Sequence, residues 1–339
     1  MKPDNRNLIM AIALSMVVLF GWQMFVIKPQ LEQEAAQQEL LAEQAKAEAA
    51  LQASQQADSG TPSVAQTSNA NTGVNNGAVT GGISEAKPQD TAPRILIDAP
   101  LITGSISVMG ARIDDVVLTD YKVSQDPGSE NIKFLHKSSS SQPYFVEFGW
   151  SSSDANQPMP RADTLWQANK DVLSPGAPVT LRWDNGQGLT FIRQISINDD
   201  YLITYDDSVQ STLGNAITLY PYGLVRRHGT PPSSGIYILH EGPLGVFDET
   251  LQEEDYSDLR DAEQGKIAVT PTEAGGWIGL TDKYWLAALL PDQNTRYDFS
   301  FQSLAGSGER YQVDYIDSNG LVLAPNESVS AKGRVFAGA

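Results

Sequence analysis

The 339-residue sequence predicts a mainly-β protein: a body of sandwiched sheets, preceded by one transmembrane helix and a disordered linker. Three observations carry this. From Arg94 onward, short alternating apolar runs recur at intervals of about ten residues, with Gly, Pro, Asn and Asp between them. Asn185-Gly186 sits between two arms that alternate at period two, the pattern of a tight hairpin. Ahead of the body, Leu8 to Ile27 is apolar apart from Ser15, Gln23 and small residues.

That first run predicts an anchor. About twenty residues at helical rise make roughly 30 Å, the thickness of a bilayer's hydrocarbon core. A cleaved secretory signal has a shorter apolar stretch and a small-x-small site after it. Here the run closes on Trp22-Gln23-Met24-Phe25-Val26-Ile27, with no such site. Trp22 and Phe25 suit a headgroup boundary. Leu8, Trp22, Phe25 and Ile27 therefore mark an uncleaved signal anchor over 8–27. Lys2 and Arg6 precede it and Lys28 alone comes closely after it, so residues 1–7 are expected in the cytoplasm and the rest outside. The alternative, a buried core helix, needs a neighbour to pack on, and the stretch after Lys28 is polar.

Residues 28–56 are rich in Ala, Gln, Glu and Leu and read as a helical stalk. Leu31, Leu40, Leu41 and Leu51 sustain no heptad, which argues against a long coiled coil. Residues 57–92 turn to Ser, Thr, Asn, Gly and Gln, too poor in large apolar groups to offset ordering entropy, and read as a disordered linker.

The body, 93–339, is long enough for one large domain. Its expected strands are Arg94–Ile97, Leu101–Val108, Ile113–Leu118, Phe145–Phe148, Val179–Trp183, Leu189–Ile197, Tyr201–Tyr205, Ala216–Tyr220, Ile236–His240, Lys266–Thr270, Gly276–Thr281, Trp285–Leu290, Tyr297–Ser303 and Tyr311–Tyr315. Glu253–Asp261 is the one helix candidate. Gly223 to Gly235, with Pro231-Pro232, reads as loop.

Composition excludes several functions. The formal net charge of −18 repels nucleic acid and anionic lipid, so neither is an expected partner. With no cysteine, thiol nucleophiles, thiolate zinc sites and iron–sulfur clusters are ruled out. His136, His228 and His240 fit no zinc spacing, and no Walker loop, nucleophile elbow or dinucleotide fingerprint is present; no catalytic residue, metal or cofactor is expected. Asp114-Asp115, Asp199-Asp200 and Asp206-Asp207 read as strand ends and turns. Arg226, Arg227 and His228, taken with His240 and Glu241, are the polar cluster to inspect for a sugar or anion site, against the competing reading of a solvated loop. Gly275, Gly276 and Trp277, running into Tyr284 and Trp285, are either two core strands joined by a turn or a partner-docking face.

Arg6-Asn7-Leu8 before a span ending in Trp22-Gln23, the order anchor, polar tether, large β body, Gly275-Gly276-Trp277 followed by Tyr284-Trp285 and Pro291, and the closing Gly333-Arg334-Val335-Phe336-Ala337-Gly338 together resemble the bacterial YidC membrane protein insertases. The resemblance implies a periplasmic β-supersandwich like that of galactose mutarotases, on the inner membrane of a Gram-negative cell. It implies a role in inserting and folding membrane proteins, alone or with the Sec translocon, with nascent membrane proteins as clients. The chain reads as a fragment: the family's further spans, whose hydrophilic groove receives the client helix, are missing. No insertase site is carried over, and this portion is expected to anchor, scaffold and dock rather than catalyse. The competing readings are a membrane-anchored carbohydrate-binding or mutarotase-like protein using His228, His240 and Glu241, and a stalk protein bridging envelope layers.

Overall fold

The computed structural model describes residues 92–231, 240–306 and 308–339. The expected anchor with Leu8, Trp22, Phe25 and Ile27, the stalk, the linker through residue 91, and the expected strand Ile236–His240 as far as Leu239 lie outside them. Among the described residues no helix is long and apolar enough to cross a membrane.

The strands, in chain order, are β1 Arg94–Asp98, β2 Ile102–Ser107, β3 Arg112–Lys122, β4 Asn131–Leu135 and β5 Tyr144–Ser152. After these come β6 Gln167–Ala168, β7 Val172–Leu173, β8 Val179–Asp184, β9 Leu189–Ile197 and β10 Leu202–Ser211. Next are β11 Ile217–His228, β12 Gly242–Phe247, β13 Thr250–Glu253, β14 Lys266–Val269 and β15 Trp277–Thr281. The last are β16 Leu286–Pro291, β17 Tyr297–Ser303, β18 Arg310–Asp317, β19 Leu321–Leu323 and β20 Ser328–Gly338. One sheet runs β14-β17-β18-β11-β5-β3-β2-β1-β7, with β19 beside β11 and β4 beside β3; the other runs β13-β12-β15-β16-β20-β10-β9-β8-β6. Among the described residues, every strand pairing is antiparallel except β1 with β7. The protein is a mainly-β sandwich, as expected.

Local chemistry explains the pairing. The β8–β9 hairpin turns at Gly186, whose φ is +69°, a left-handed value glycine adopts without strain. Asn185 locks the reversal, its Oδ1 accepting from the Gln187 amide at 2.8 Å and the Leu189 amide at 3.0 Å. In β9, Leu189, Phe191, Arg193, Ile195 and Ile197 are all buried at alternate positions, so one face packs inward.

Between the sheets, Tyr205 of β10 stacks on Phe148 of β5 with ring centres 3.7 Å apart, and its hydroxyl meets that of Tyr315 on β18. Phe247 of β12 lies 4.7 Å from Phe299 of β17. Gly333 on β20 makes room for the first contact, because a Cβ there would stand 2.1 Å from the Tyr205 hydroxyl oxygen.

Three expectations are corrected. Gly223 to His228 is strand, not loop: β11 continues to His228, held by β5 on one side and β18 on the other. Pro221 is tolerated because it falls where the neighbour changes from β19, which ends opposite Leu219, to β18, which begins opposite Tyr222. Asp114-Asp115 and Asp206-Asp207 lie inside β3 and β10, not at turns; each is matched by a cation, Asp207 by Arg193 and Asp206 by Lys332 directly across the ladder. Asp199-Asp200 does occupy the turn between β9 and β10. The helix is only α1, Tyr256–Asp261, because Glu253 is taken by β13 pairing with β12.

A candidate binding face on the large sheet

Alternation along β5 sends Tyr144, Val146 and Phe148 toward the second sheet, which leaves Phe145 and Glu147 on the opposite, outer face. Register carries that face across the sheet. Arg226 stands opposite Phe145 and Leu224 opposite Glu147; Gln312 stands opposite Arg226, and Gln302 opposite Gln312. Toward the other edge, Arg112 and Asp114 of β3 and Arg94 of β1 complete a row of charged groups.

Most of this row is buried, so its charged groups are ion-paired or hydrogen-bonded. Arg112 Nε donates to Glu147 at 2.7 Å, and its guanidinium lies 4.5 Å from the Phe145 ring centre. Arg94 is ion-paired with Asp114, whose other oxygen accepts from the Ser138 amide and hydroxyl, each at 3.1 Å. Asp314 accepts from Ser300 at 2.8 Å and from Gln302 and Gln312 at 2.7 Å. Burial nevertheless pushes its carboxyl up to about 6.

Arg226 is different. Its Nε donates to the neutral Gln312 Oε1 at 3.0 Å, its Nη2 contacts the same oxygen, and among the described residues it has no ion pair. Its side chain remains partly open to solvent. Burial, then the positive charges of Arg112 and Arg310, holds its pKa below the usual arginine range, despite Glu147 nearby. His228, two residues along the same face, is likewise lowered by burial and by Arg226 and Arg310.

The other members of the polar cluster are placed elsewhere. Arg227 points to the inner face, its Nη1 donating to Asp282 at 2.5 Å with Tyr144 4.9 Å below its guanidinium. His240 Nε2 is 3.0 Å from the Pro243 carbonyl oxygen, and Glu241 precedes Gly242, which pairs with Thr281 next to Asp282. His240 and Glu241 thus lead into the start of β12, while Arg226 and His228 share the outer face of β11. Among the described residues no group of three or more His, Cys, Asp or Glu side chains is arranged to hold a metal.

The Gly275–Pro291 segment is a tight turn and two strands. Gly275 and Gly276 have φ of +88° and +97°. Gln293 clamps the turn, accepting from the Gly276 amide at 3.2 Å and donating to its carbonyl at 3.0 Å. Trp277 opens β15, and Ile278, Leu280, Ala287 and Leu289 are core residues. Trp285 packs partly against that core and meets the Tyr121 ring edge-on at 4.9 Å; Tyr284, at the tip, is 63% exposed.

Residues 94–339 match the family described as the YidC periplasmic domain. The membrane protein insertase YidC of Methylorubrum extorquens (strain PA1) is 39% identical over 100% of this chain and 56% of its own length. The chain belongs to the YidC family. Its YidC relative in Bradyrhizobium diazoefficiens is 42% identical over 100% of this chain and 54% of its own length, and the one in Rickettsia bellii is 35% identical over 100% and 56%. The chain thus spans about half the length of the curated YidC relatives it matches. Among solved structures, a galactose mutarotase related enzyme from Lactobacillus acidophilus is similar with TM-score 0.49 and 9% identity, over 73% of this chain and 97% of that one.

Sequence reasoning did not single out Arg112, Glu147, Gln312 or Asp314. Their signal was the alternation itself: in Arg310-Tyr311-Gln312-Val313-Asp314, polar and apolar residues take turns, a pattern that ordinarily means a solvated outer face. Here the polar face is buried too.

Proposed function

We propose that this chain is the anchoring and periplasmic portion of a membrane protein insertase. A signal anchor over 8–27 holds the sandwich outside the inner membrane, where it scaffolds the protein and docks Sec translocon components and nascent membrane-protein clients. The observation that carries this reading is the match along the whole chain to proteins named as membrane protein insertases. The domain does this without covalent chemistry of its own. Support for that part comes from the polar groups: among the described residues Arg112 is engaged by Glu147, Arg227 by Asp282 and Asp314 by three donors, which leaves none of these three free to share a substrate.

Topology and docking are tested together. Protease added outside spheroplasts should digest the body while the anchor stays in the membrane. The same chain, solubilised in mild detergent, should capture Sec components in pull-downs, and charge reversal at exposed edges should weaken the capture. A body protected from external protease, or a mature chain beginning after Ile27, overturns the topology. Undiminished capture across several reversal variants overturns the docking role.

A further inference from the structure

Among the described residues the pair Asn-Gly occurs at Asn185-Gly186 and again at Asn319-Gly320. Asparagine before glycine is prone to lose its side-chain amide, because glycine leaves the following backbone nitrogen unshielded. The two pairs present the same nucleophile: the Gly186 amide donates to Asp184 Oδ1 at 2.8 Å, and the Gly320 amide donates to Asp317 Oδ1 at 2.8 Å. They differ at the carbon to be attacked. The Asn185 side chain is held at both ends, its Oδ1 accepting from the Gln187 and Leu189 amides and its Nδ2 donating to Gln157 Oε1 and the Pro158 carbonyl, each at 3.2 Å. The Asn319 side chain is exposed and, among the described residues, makes no hydrogen bond. We propose that Asn319 is a site of spontaneous deamidation, with water as co-reactant, and that Asn185 is kept from the same reaction by its hydrogen bonds.

In this reaction the Gly320 nitrogen gives its proton to solvent and bonds to Asn319 Cγ, closing a five-membered succinimide. The Cγ–Nδ2 bond breaks and the amide leaves as ammonia. Water then opens the ring. Breaking the bond from nitrogen to Cγ yields aspartate; breaking the bond from nitrogen to the main-chain carbonyl carbon yields isoaspartate, whose main chain is longer by one methylene. Overall an amide and a water become a carboxylate and an ammonium ion. Asn185 must give up hydrogen bonds to reach the closing geometry, and each one slows the closure.

The product does not suit the turn that holds it. Residues 318–320 join β18 to β19, which pair one after the other along the same edge of β11. Gly320 has a φ of +70°, and a Cβ there would stand 2.7 Å from Thr218 Cγ2 and from Tyr220 Cε1, so the turn lies hard against β11. Buried Asp317 accepts from the Asn319 amide at 2.9 Å as well as from that of Gly320. Isoaspartate displaces these amides, and either product sets a second carboxylate beside Asp317. Deamidation therefore loosens β19 from Ile217–Leu219.

The full chain in detergent, kept warm at mildly alkaline pH and sampled over weeks, tests this by peptide mass spectrometry, since each converted peptide gains about one dalton. The ratio of the Asn319 rate to the Asn185 rate should be at least about tenfold larger in the folded chain than in concentrated urea, where only the flanking residues act. An equal ratio in the two conditions overturns the proposal, as does faster conversion of Asn185 in the folded chain. Hydrogen exchange reads the consequence. Amides of Leu321–Leu323 should exchange several-fold faster in the converted chain than in the fresh one. Asn319→Gln cannot close a five-membered ring, and after the same ageing its β19 should exchange as when fresh. Unchanged exchange in the converted chain, or equal acceleration in aged Asn319→Gln, overturns the loosening of β19.

Discussion

Arg193 and Asp207 face each other across β9 and β10, joined by two hydrogen bonds of 2.7 Å in the interior of the sandwich. Arg193 is 1% exposed, and its guanidinium carbon lies 5.4 Å from the Trp166 ring centre and 5.8 Å from that of Phe148. Burial alone would depress its pKa, but the Asp207 carboxylate reverses the sign and holds it above the usual arginine value. Among the described residues Nη1 has no hydrogen-bond partner, so the aromatic faces supply what electrostatic compensation that edge receives.

Breaking this pair from one side leaves a charge stranded in the core. Asp207→Asn should destabilise the fold by about 3–5 kcal/mol. The double change Arg193→Met with Asp207→Leu should recover much of the loss, because it removes both desolvation penalties. Urea denaturation of the native chain, Asp207→Asn and the double variant measures this; a double variant no more stable than Asp207→Asn contradicts the assignment.

Asp314 gives a pH signature of the opposite kind from an ordinary paired carboxylate. Burial raises its pKa from 3.8 to about 6, so the folded state holds its proton more firmly than the unfolded chain. The stability this group contributes is therefore complete below pH 3.8 and is lost as pH rises toward about 6. Asp314→Asn does not titrate. The stability of the native chain minus that of the variant should fall by up to about 3 kcal/mol between those limits and be flat above them. Denaturation midpoints taken across that range read the difference, and a flat difference throughout means that Asp314 is not shifted.

How far the fold was legible depended on which forces acted locally. The β8–β9 hairpin was readable because Asn185-Gly186 and two alternating arms lie side by side in the chain. β11 was not readable past Tyr220, because Pro221 and Gly223 are poor strand residues by themselves; β5 and β18, distant in sequence, impose the extended backbone. The same long-range pairing hid Asp114 and Asp207, whose cations Arg94 and Arg193 lie across ladders rather than nearby in the chain. The polar cluster was legible as residue types only. Its division between two faces comes from the strand character of Arg226–His228, which puts Arg227 on the side opposite its neighbours.

Gly333 tests whether small residues of β20 are there for packing. Its backbone is ordinary strand, so an alanine meets no conformational penalty, only the Tyr205 ring, with its hydroxyl 2.1 Å from the new Cβ. Gly333→Ala should cost about 1–3 kcal/mol by overpacking. In a Tyr205→Val background the same change should cost almost nothing, giving a coupling of similar size in a double-mutant cycle. Additive losses would mean that the two residues do not compete for space.

Tyr284 and Trp285 separate packing from docking at adjacent positions. Trp285 lies against core residues and meets Tyr121 edge-on, so Trp285→Ala should destabilise the sandwich by about 2–3 kcal/mol. Tyr284 contributes a ring contact at 6.1 Å to Trp285 and stands under the Lys283 ammonium at 5.1 Å, both at an exposed tip. Tyr284→Ser should change stability by no more than about 0.5 kcal/mol. An aromatic side chain exposed beside a lysine has the composition of an interface anchor, since it offers large contact area at little entropic cost. If the tip docks a partner, Tyr284→Ser should lower Sec capture several-fold with the melting curve unmoved, whereas Trp285→Ala should shift both. Unchanged capture by Tyr284→Ser assigns the whole Gly275–Pro291 segment to the core and moves the docking surface elsewhere on the domain.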